Sequence, residues 1–298
     1  MAVTRVARER RHTVYFLNAV RDFAPVHLDT EVDMTAVRRH RRAARAAGRR
    51  YSPVAYVLHA AGRALAERPE ANAAVRGRIW PRLARYDSVA GKLALDRTLG
   101  GRRVVLATVV PELERATLDA IQRRIDRFRD GDPETLPEFA GVRRLHRLPA
   151  LVAPLAYHVA TRPLRGRDRR TGTFSVSSLG HGPVDGFHSV GGTTVTLGVG
   201  RILDRPVVRD GAVTVAPVLR LNLTFDHRVI DGAEATDLLA AVKDGLEAFP
   251  PDETADPAPN ATDPAAATDP ADAGGQAPGS GAAGPVTAEA PAARPDRP

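Results

Sequence analysis

Between Val213 and Phe225 the chain alternates. Val213, Val215, Leu219, Leu221, Leu223 and Phe225 share one parity, while Thr214, Arg220, Asn222 and Thr224 share the other. A period of two is the repeat of a β-strand, so this stretch reads as one long strand with a buried apolar face. If the strand runs on, His227 falls on the buried parity, where an imidazole needs a reason. The pattern then changes. Asp231 precedes Glu234 by three residues, and Leu238, Val242, Leu246 and Phe249 follow at helical spacing, which marks a helix start with a capping pair. A histidine held between a strand end and a helix start is a candidate site residue. The ordinary explanation is a satisfied histidine at the edge of a core, and Asp231 has an equally ordinary one as a helix cap. Spacing alone leaves both open.

The residues themselves carry more. Asp226-His227-Arg228-Val229-Ile230-Asp231-Gly232-Ala233 resembles the signature of the catalytic domain of dihydrolipoyl acyltransferases, the cores of 2-oxoacid dehydrogenase complexes. The more distant chloramphenicol acetyltransferases carry a related His-x-x-x-Asp-Gly. Other segments match in order. Gly172-Thr173-Phe174-Ser175-Val176-Ser177-Ser178-Leu179-Gly180 resembles the second motif of the family. Leu197-Gly198-Val199-Gly200-Arg201, followed by Arg205-Pro206-Val207-Val208, resembles the strand and turn between the two motifs. Pro69-Glu70-Ala71-Asn72-Ala73 and Glu31-Val32-Asp33-Met34 are similar to N-terminal landmarks. The similarity runs over residues 8–249, dense after 171 and patchy before.

This resemblance implies an α/β (α+β) fold, a two-layer sandwich of a mixed β-sheet covered by helices, chloramphenicol acetyltransferase-like. It also implies a homotrimer, or a larger homo-oligomer, with active sites between subunits. Within each site, His227 would come from one chain and Ser177 from its neighbour. Asp231 would hold the loop through an ion pair with an N-terminal arginine, for which Arg11 is the nearest match and Arg10 the second. The chemistry suits these residue types. Thioester exchange needs a thiolate, and a neutral imidazole can take the thiol proton as sulfur attacks. A serine hydroxyl can then donate to the oxyanion. The expected substrates are acyl-CoA, with coenzyme A as substrate rather than bound cofactor, and a dihydrolipoyl group supplied in trans by a separate lipoyl-domain protein. No metal is needed.

Composition narrows the surroundings. There is no cysteine among 298 residues, hence no disulfide framework, thiol nucleophile or thiolate metal site. No run approaches a membrane span and no signal-peptide core opens the chain, so cytoplasmic residence is expected. From Pro250 onward Ala, Pro, Asp, Gly and Thr dominate without apolar period, so residues 250–298 are expected to form a disordered tail. That tail carries −6 against a whole-chain charge of +8, leaving +14 on residues 1–249, the expected catalytic domain. Almost all of the positive charge is arginine, densest at Arg38-Arg39-His40-Arg41-Arg42 with Arg45, Arg49 and Arg50. These arginines wrap much of one predicted helix and no aromatic residue interleaves to stack bases. Nucleic acid is therefore not the expected partner; a solvated face, or one for an acidic partner or a CoA phosphate, fits better.

The first half alternates between elements. Ser52-Pro53 caps a helix with Val54, Val57, Leu58, Ala61 and Leu65 on one side, and Thr117 opens another with Leu118, Ile121, Ile125 and Phe128 inward. Residues 88–95 and 103–110 read as strands around Gly100-Gly101. Residues 129–171 form an atypical insertion, with an apolar piece from Leu145 to Leu155 and a basic run from Arg162 to Arg170. It reads first as an added helix packed on the core and second as a lid or docking surface. In the strand around Ser177, Ser175 reads as polar surface.

Departures from the family pattern are equally specific. Neither lysine, Lys92 nor Lys243, lies in the Asp-Lys-Ala turn of a lipoyl domain, and His59 stands where the family commonly has lysine. Three functions follow. The first is an acyltransferase between CoA and a dihydrolipoyl thiol. The second is a stand-alone acyl-CoA transferase to a small acceptor, and the third a non-enzymatic oligomeric scaffold subunit.

Overall fold

From the N-terminus, α1 (Arg11–Ala19) leads into β1 (Pro25–Asp33), followed by α2 (Thr35–Ala46) and α3 (Pro53–Ala66). A short pair, β2 (Ala73–Arg76) and β3 (Arg82–Arg85), precedes the hairpin of β4 (Gly91–Leu99) and β5 (Arg102–Val110). That hairpin turns at Gly100 and Gly101, both at positive φ, which glycine adopts without a Cβ penalty. Then come α4 (Leu118–Asp130), α5 (Ala140–Arg147), α6 (Ala153–Thr161), α7 (Arg167–Thr171), β6 (Phe174–Ser178), β7 (Val195–Arg209), β8 (Ala212–Asp226) and α8 (Gly232–Glu247). This computed structural model describes residues 1, 3–77 and 79–251. The expectation of a disordered tail lies, beyond residue 251, outside the described residues.

Local chemistry sets the helix starts. Ser52 Oγ accepts from the Ala55 amide at 3.3 Å with Pro53 in the first turn, and Thr117 Oγ1 accepts from Ala120 at 3.2 Å. Asp231 and Glu234 form a reciprocal capping box on α8.

Six strands make one mixed sheet in the order β1-β8-β7-β6-β4-β5, with β6 parallel to both of its neighbours and the other pairs antiparallel. One face carries Leu219, Leu221, Leu223 and Phe225 of β8, with Val195, Leu197, Phe174 and Val176 beside them. All are buried together with Leu58, Leu65, Ile121, Val242 and Leu246 from the helices. Each such side chain stabilises the fold by roughly 1.5–3 kcal/mol relative to exposure, so this face anchors the sandwich. Among the described residues no helix is long and apolar enough to cross a membrane.

The opposite face is also covered, against the expectation of one buried face. Asn222, Thr224, Thr196 and Ser175 are all buried, because the segment after β6 folds back over the sheet. Asn222 Oδ1 accepts from Phe187 N at 3.0 Å. A Cβ on Gly198 would stand 2.2 Å from Phe187 O, and one on Gly200 would stand 2.0 Å from Asp185 O. The Gly-x-Gly of β7 is therefore a close-approach device for this segment. Ser175, read as polar surface, instead lies beneath it, with Oγ 2.7 Å from Thr193 Oγ1.

Two further expectations change. Val213 and Val215 lie on the apolar parity yet are 75% and 71% exposed, because the tip of the β7–β8 hairpin runs out beyond the helices. The arginines of α2 do not wrap the helix: Ala36, Val37, His40 and Ala44 form a buried stripe, and Arg38, Arg39, Arg42 and Arg45 point to solvent. The insertion is three helices rather than one. His146 of α5 docks it on α1 through His12, Nδ1 to Nε2 at 3.0 Å. Leu151, Leu155 and Val159 around α6 remain exposed, so packing on the core describes only its first part.

Candidate active site

Ser177 sits one residue before the end of β6, on the face away from the helical layer, in register with Ala94 of β4 and Gly198 of β7. Where β6 stops, its two neighbours continue, with no strand between them. The gap is a cleft of about 1160 Å³. Leu93 and Leu95 line it on the helix side along with Ser52, Val54 and Ile125, while Ala94, Ser177 and Val105 line it on the other. The cleft thus joins the two faces of the sheet past the Ser177 hydroxyl. Among the described residues no side-chain partner engages that hydroxyl, which leaves it available to a ligand.

The cleft is cationic. Arg10, Arg41, Arg103, Arg129 and Arg201 line it with Asp96. The hydrogen bond from Arg103 holds the Asp96 carboxyl below its usual range, while burial and then Arg45 lower Arg41. His181 also lines this cleft. The sequence reading did not single it out, since it belongs to an irregular segment with no period to place it.

His227 is elsewhere. The strand ends at Asp226, and residues 227–229 form a turn closed by Val229 N to Asp226 O at 2.9 Å. The buried parity is therefore broken one residue early, and the His227 side chain is 47% exposed. Its backbone is fixed, with His227 N donating to Ala24 O at 2.9 Å. Its ring is held by Asp231, whose Oδ1 lies 3.2 Å from Nδ1. A carboxylate on Nδ1 favours the tautomer protonated there and leaves Nε2 as an acceptor. Asp231 thus does two things, capping α8 and orienting His227.

One chain does not bring the predicted residues together. Ser177 is in register with Gly198, and Gly198 with Asn222. From Asn222 to the end of β8 is four residues, about 13 Å along the strand and about 10 Å across two strands. His227 lies beyond that, at the other end of β6. Nor does the Arg11 ion pair form within the chain. Among the described residues the ion-pair partner of Asp231 is His227. Arg11 begins α1 beside His12, whose Nε2 lies 3.0 Å from Val105 O on the far edge strand β5. The second match, Arg10, lines the Ser177 cleft. His59, expected where relatives carry lysine, is buried in the helical layer against Phe249. Among the described residues no group of three or more His, Cys, Asp or Glu could hold a metal ion.

The family model for the 2-oxoacid dehydrogenases acyltransferase catalytic domain matches residues 143–252. The dihydrolipoyllysine-residue acetyltransferase component of the pyruvate dehydrogenase complex of Bacillus subtilis (strain 168) is 55% identical over 47 residues, which is 16% of this chain and 11% of that protein. The same component from Staphylococcus aureus (strain N315) is 51% identical over 47 residues with the same coverage. The match thus spans about a tenth of the length of these curated relatives. In structure, a probable dihydrolipoamide acetyltransferase from Listeria monocytogenes 4b F2365 superposes with a TM-score of 0.61 at 22% identity, over 83% of this chain and 94% of that one. Azotobacter vinelandii dihydrolipoamide acetyltransferase gives 0.62 at 22% identity, over 83% and 92%. Residues 143–252 are thus similar to the 2-oxoacid dehydrogenases acyltransferase catalytic domain, and the described body has the fold of the dihydrolipoamide acetyltransferase cores.

Proposed function

We propose that this chain is a cytoplasmic, CoA-dependent acyltransferase that moves an acyl group between coenzyme A and a dihydrolipoyl thiol carried on a separate protein. The observation that carries this reading is the Asp231–His227 contact at 3.2 Å on Nδ1, which leaves Nε2 of a half-exposed ring to act as base. Nε2 takes the proton of the attacking thiol, and the sulfur bonds to the acyl carbon. The resulting oxyanion accepts a hydrogen bond from Ser177 Oγ. Collapse breaks the original carbon–sulfur bond, and His227 returns its proton to the departing thiolate. These steps balance without a metal or a protein-bound acyl group.

His227 and Ser177 lie too far apart in one chain to serve one substrate, so the site is completed by a second copy, in a trimer or a larger cyclic assembly. The arginine-lined cleft at Ser177 suits the phosphates of coenzyme A. Crystallographic and enzymatic work on the Azotobacter enzyme addresses a serine, a histidine and an asparagine in its mechanism. Ser177, His227 and Asp231 are the side chains proposed for those places here.

The test is transfer from acetyl-CoA to dihydrolipoamide, beside a His227→Ala variant of the same oligomeric state. The variant should lose roughly 10²- to 10⁴-fold in turnover. Near-normal turnover in the assembled variant sinks the mechanism. An inactive but oligomeric wild type moves the assignment to a small hydroxyl, amine or thiol acceptor.

A further inference from the structure

Neither half of the proposed active site uses three cations that the fold gathers under the end of α1. There, between the insertion and the sheet, lies a cavity of about 80 Å³ lined by Lys92 of β4, Arg76 of β2 and Arg167 of α7. Shared acceptors bring the three together. Arg76 Nη2 and Arg167 Nη1 both donate to the Thr161 carbonyl, at 3.0 and 3.5 Å. Arg167 Nη2 donates to the Gly192 carbonyl and Lys92 Nζ to its neighbour, Gly191 O, at 3.1 Å. The Lys92 ammonium also lies 4.6 Å from the centre of the Phe16 ring.

Among the described residues, main-chain carbonyls and one aromatic face are the partners of these cations. Among the described residues none of the three forms an ion pair. The single acid lining the cavity, Asp226, is occupied by Arg228, whose Nε and Nη2 lie 2.9 and 2.5 Å from its oxygens. The lining charges therefore sum to three positive. Burial, then Arg167, pushes the Lys92 ammonium down to about 8. Burial also lowers Arg167 and Arg76, and neighbouring arginines add to the shift in each. Gathering desolvated like charges is costly unless something of opposite sign joins them.

We propose that this cavity binds one tetrahedral oxyanion, a phosphate or sulfate group. On this scale roughly 10–15 Å³ admits one water, so the space holds a few waters or one such ion and nothing much larger. Two guanidinium groups and an ammonium supply the donors that phosphate oxygens take best. Tyr157 lines the same cavity, and burial holds its phenol up at about 12, so it stays a donor at neutral pH. The bound ion ties α7 of the insertion to β4 and, through Asp226 and Arg228, braces the turn that carries His227. It does not depend on the acyl-transfer reading.

The test is calorimetric titration of the full chain with inorganic phosphate at constant ionic strength, with Lys92→Met and Arg167→Gln alongside. The wild type should bind phosphate saturably with one ion per chain, and each variant should bind at least tenfold more weakly. Thermal melts guard against misfolding. Without phosphate the variants should melt no lower than the wild type, since each removes a like charge, and phosphate should raise the melting temperature of the wild type alone. A parallel titration with adenosine 3′,5′-bisphosphate distinguishes the source of the group. Tighter binding than inorganic phosphate, lost in the same variants, assigns the cavity to a phosphorylated ligand; weaker binding assigns it to the free ion. Absence of saturable phosphate binding, or equal binding by wild type and variants, overturns the proposal.

Discussion

The two ends of β6 are built for opposite purposes. At the Ser177 end the strand stops short, the sheet opens, and a cleft of about 1160 Å³ passes between the faces with five arginines around it. At the other end the chain is wound tight. Asp226 N donates to Thr194 O, His227 N to Ala24 O and Val229 N to Asp226 O, all at 2.9 Å, and the α8 capping box follows directly. One end is a wide cleft with the Ser177 hydroxyl in its wall and His227 far from it. The other holds a fixed, oriented imidazole, with the small cation-lined cavity beneath its turn. Each lacks what the other has, which is why a single chain is read as two half-sites.

That contrast can be broken at either end. The largest loss is expected at the base, with His227→Ala as above. Ser177→Ala should cost roughly 10²- to 10³-fold in turnover, the scale of one oxyanion donor, with the melting temperature unchanged, since among the described residues Ser177 supports no side-chain hydrogen bond. A full-activity Ser177→Ala protein would leave the open end without a catalytic role. Asp231→Ala should show both jobs of that residue. Turnover falls less than in either variant above, and urea unfolding reports about 0.5–2 kcal/mol lost with the cap. Asp231→Asn keeps the cap, so it should recover the stability and separate the two roles.

The smallest effect concerns the helical layer. Burial, then Arg63, lowers His59 to about 4, against about 6.5 in an unfolded chain. The unfolded state therefore binds the proton more readily. This contribution to stability is complete above about pH 6.5 and is lost as pH falls from there toward 4. His40, His146 and His188 are lowered in the same direction. Melting temperatures of wild type and His59→Gln between pH 7 and 4 should show a shallower acid slope in the variant. Parallel slopes would mean that His59 is not buried as described.

What was legible in the chain was whatever local chemistry decides. Ser52-Pro53, Thr117 and the Asp231–Glu234 pair opened helices where they were read, and Gly100-Gly101 turned the expected hairpin. Parity found β8 but not its surroundings. Alternation cannot say where a covering layer ends, so Val213 and Val215 came out exposed, nor that a turn at Asp226 would swing His227 off the buried side. The second covered face was hidden because a folded-back irregular segment has no period; only Gly198 and Gly200, where side chains would collide with it, marked it. Lys92, Arg76 and Arg167 come from three elements remote in sequence, so no spacing could have joined them.

In the proposed oligomer the decisive feature is the sharing of one active site between two chains, the base from one and the hydroxyl from the other. It is tested most directly by co-assembling the His227→Ala and Ser177→Ala chains in equal amounts and measuring acyl transfer. Each variant alone has every site damaged. In mixed cyclic assemblies about one interface in four should pair an intact His227 with an intact Ser177, so activity should return to about a quarter of wild type. Mixed oligomers that remain as inactive as their parents would contradict the account.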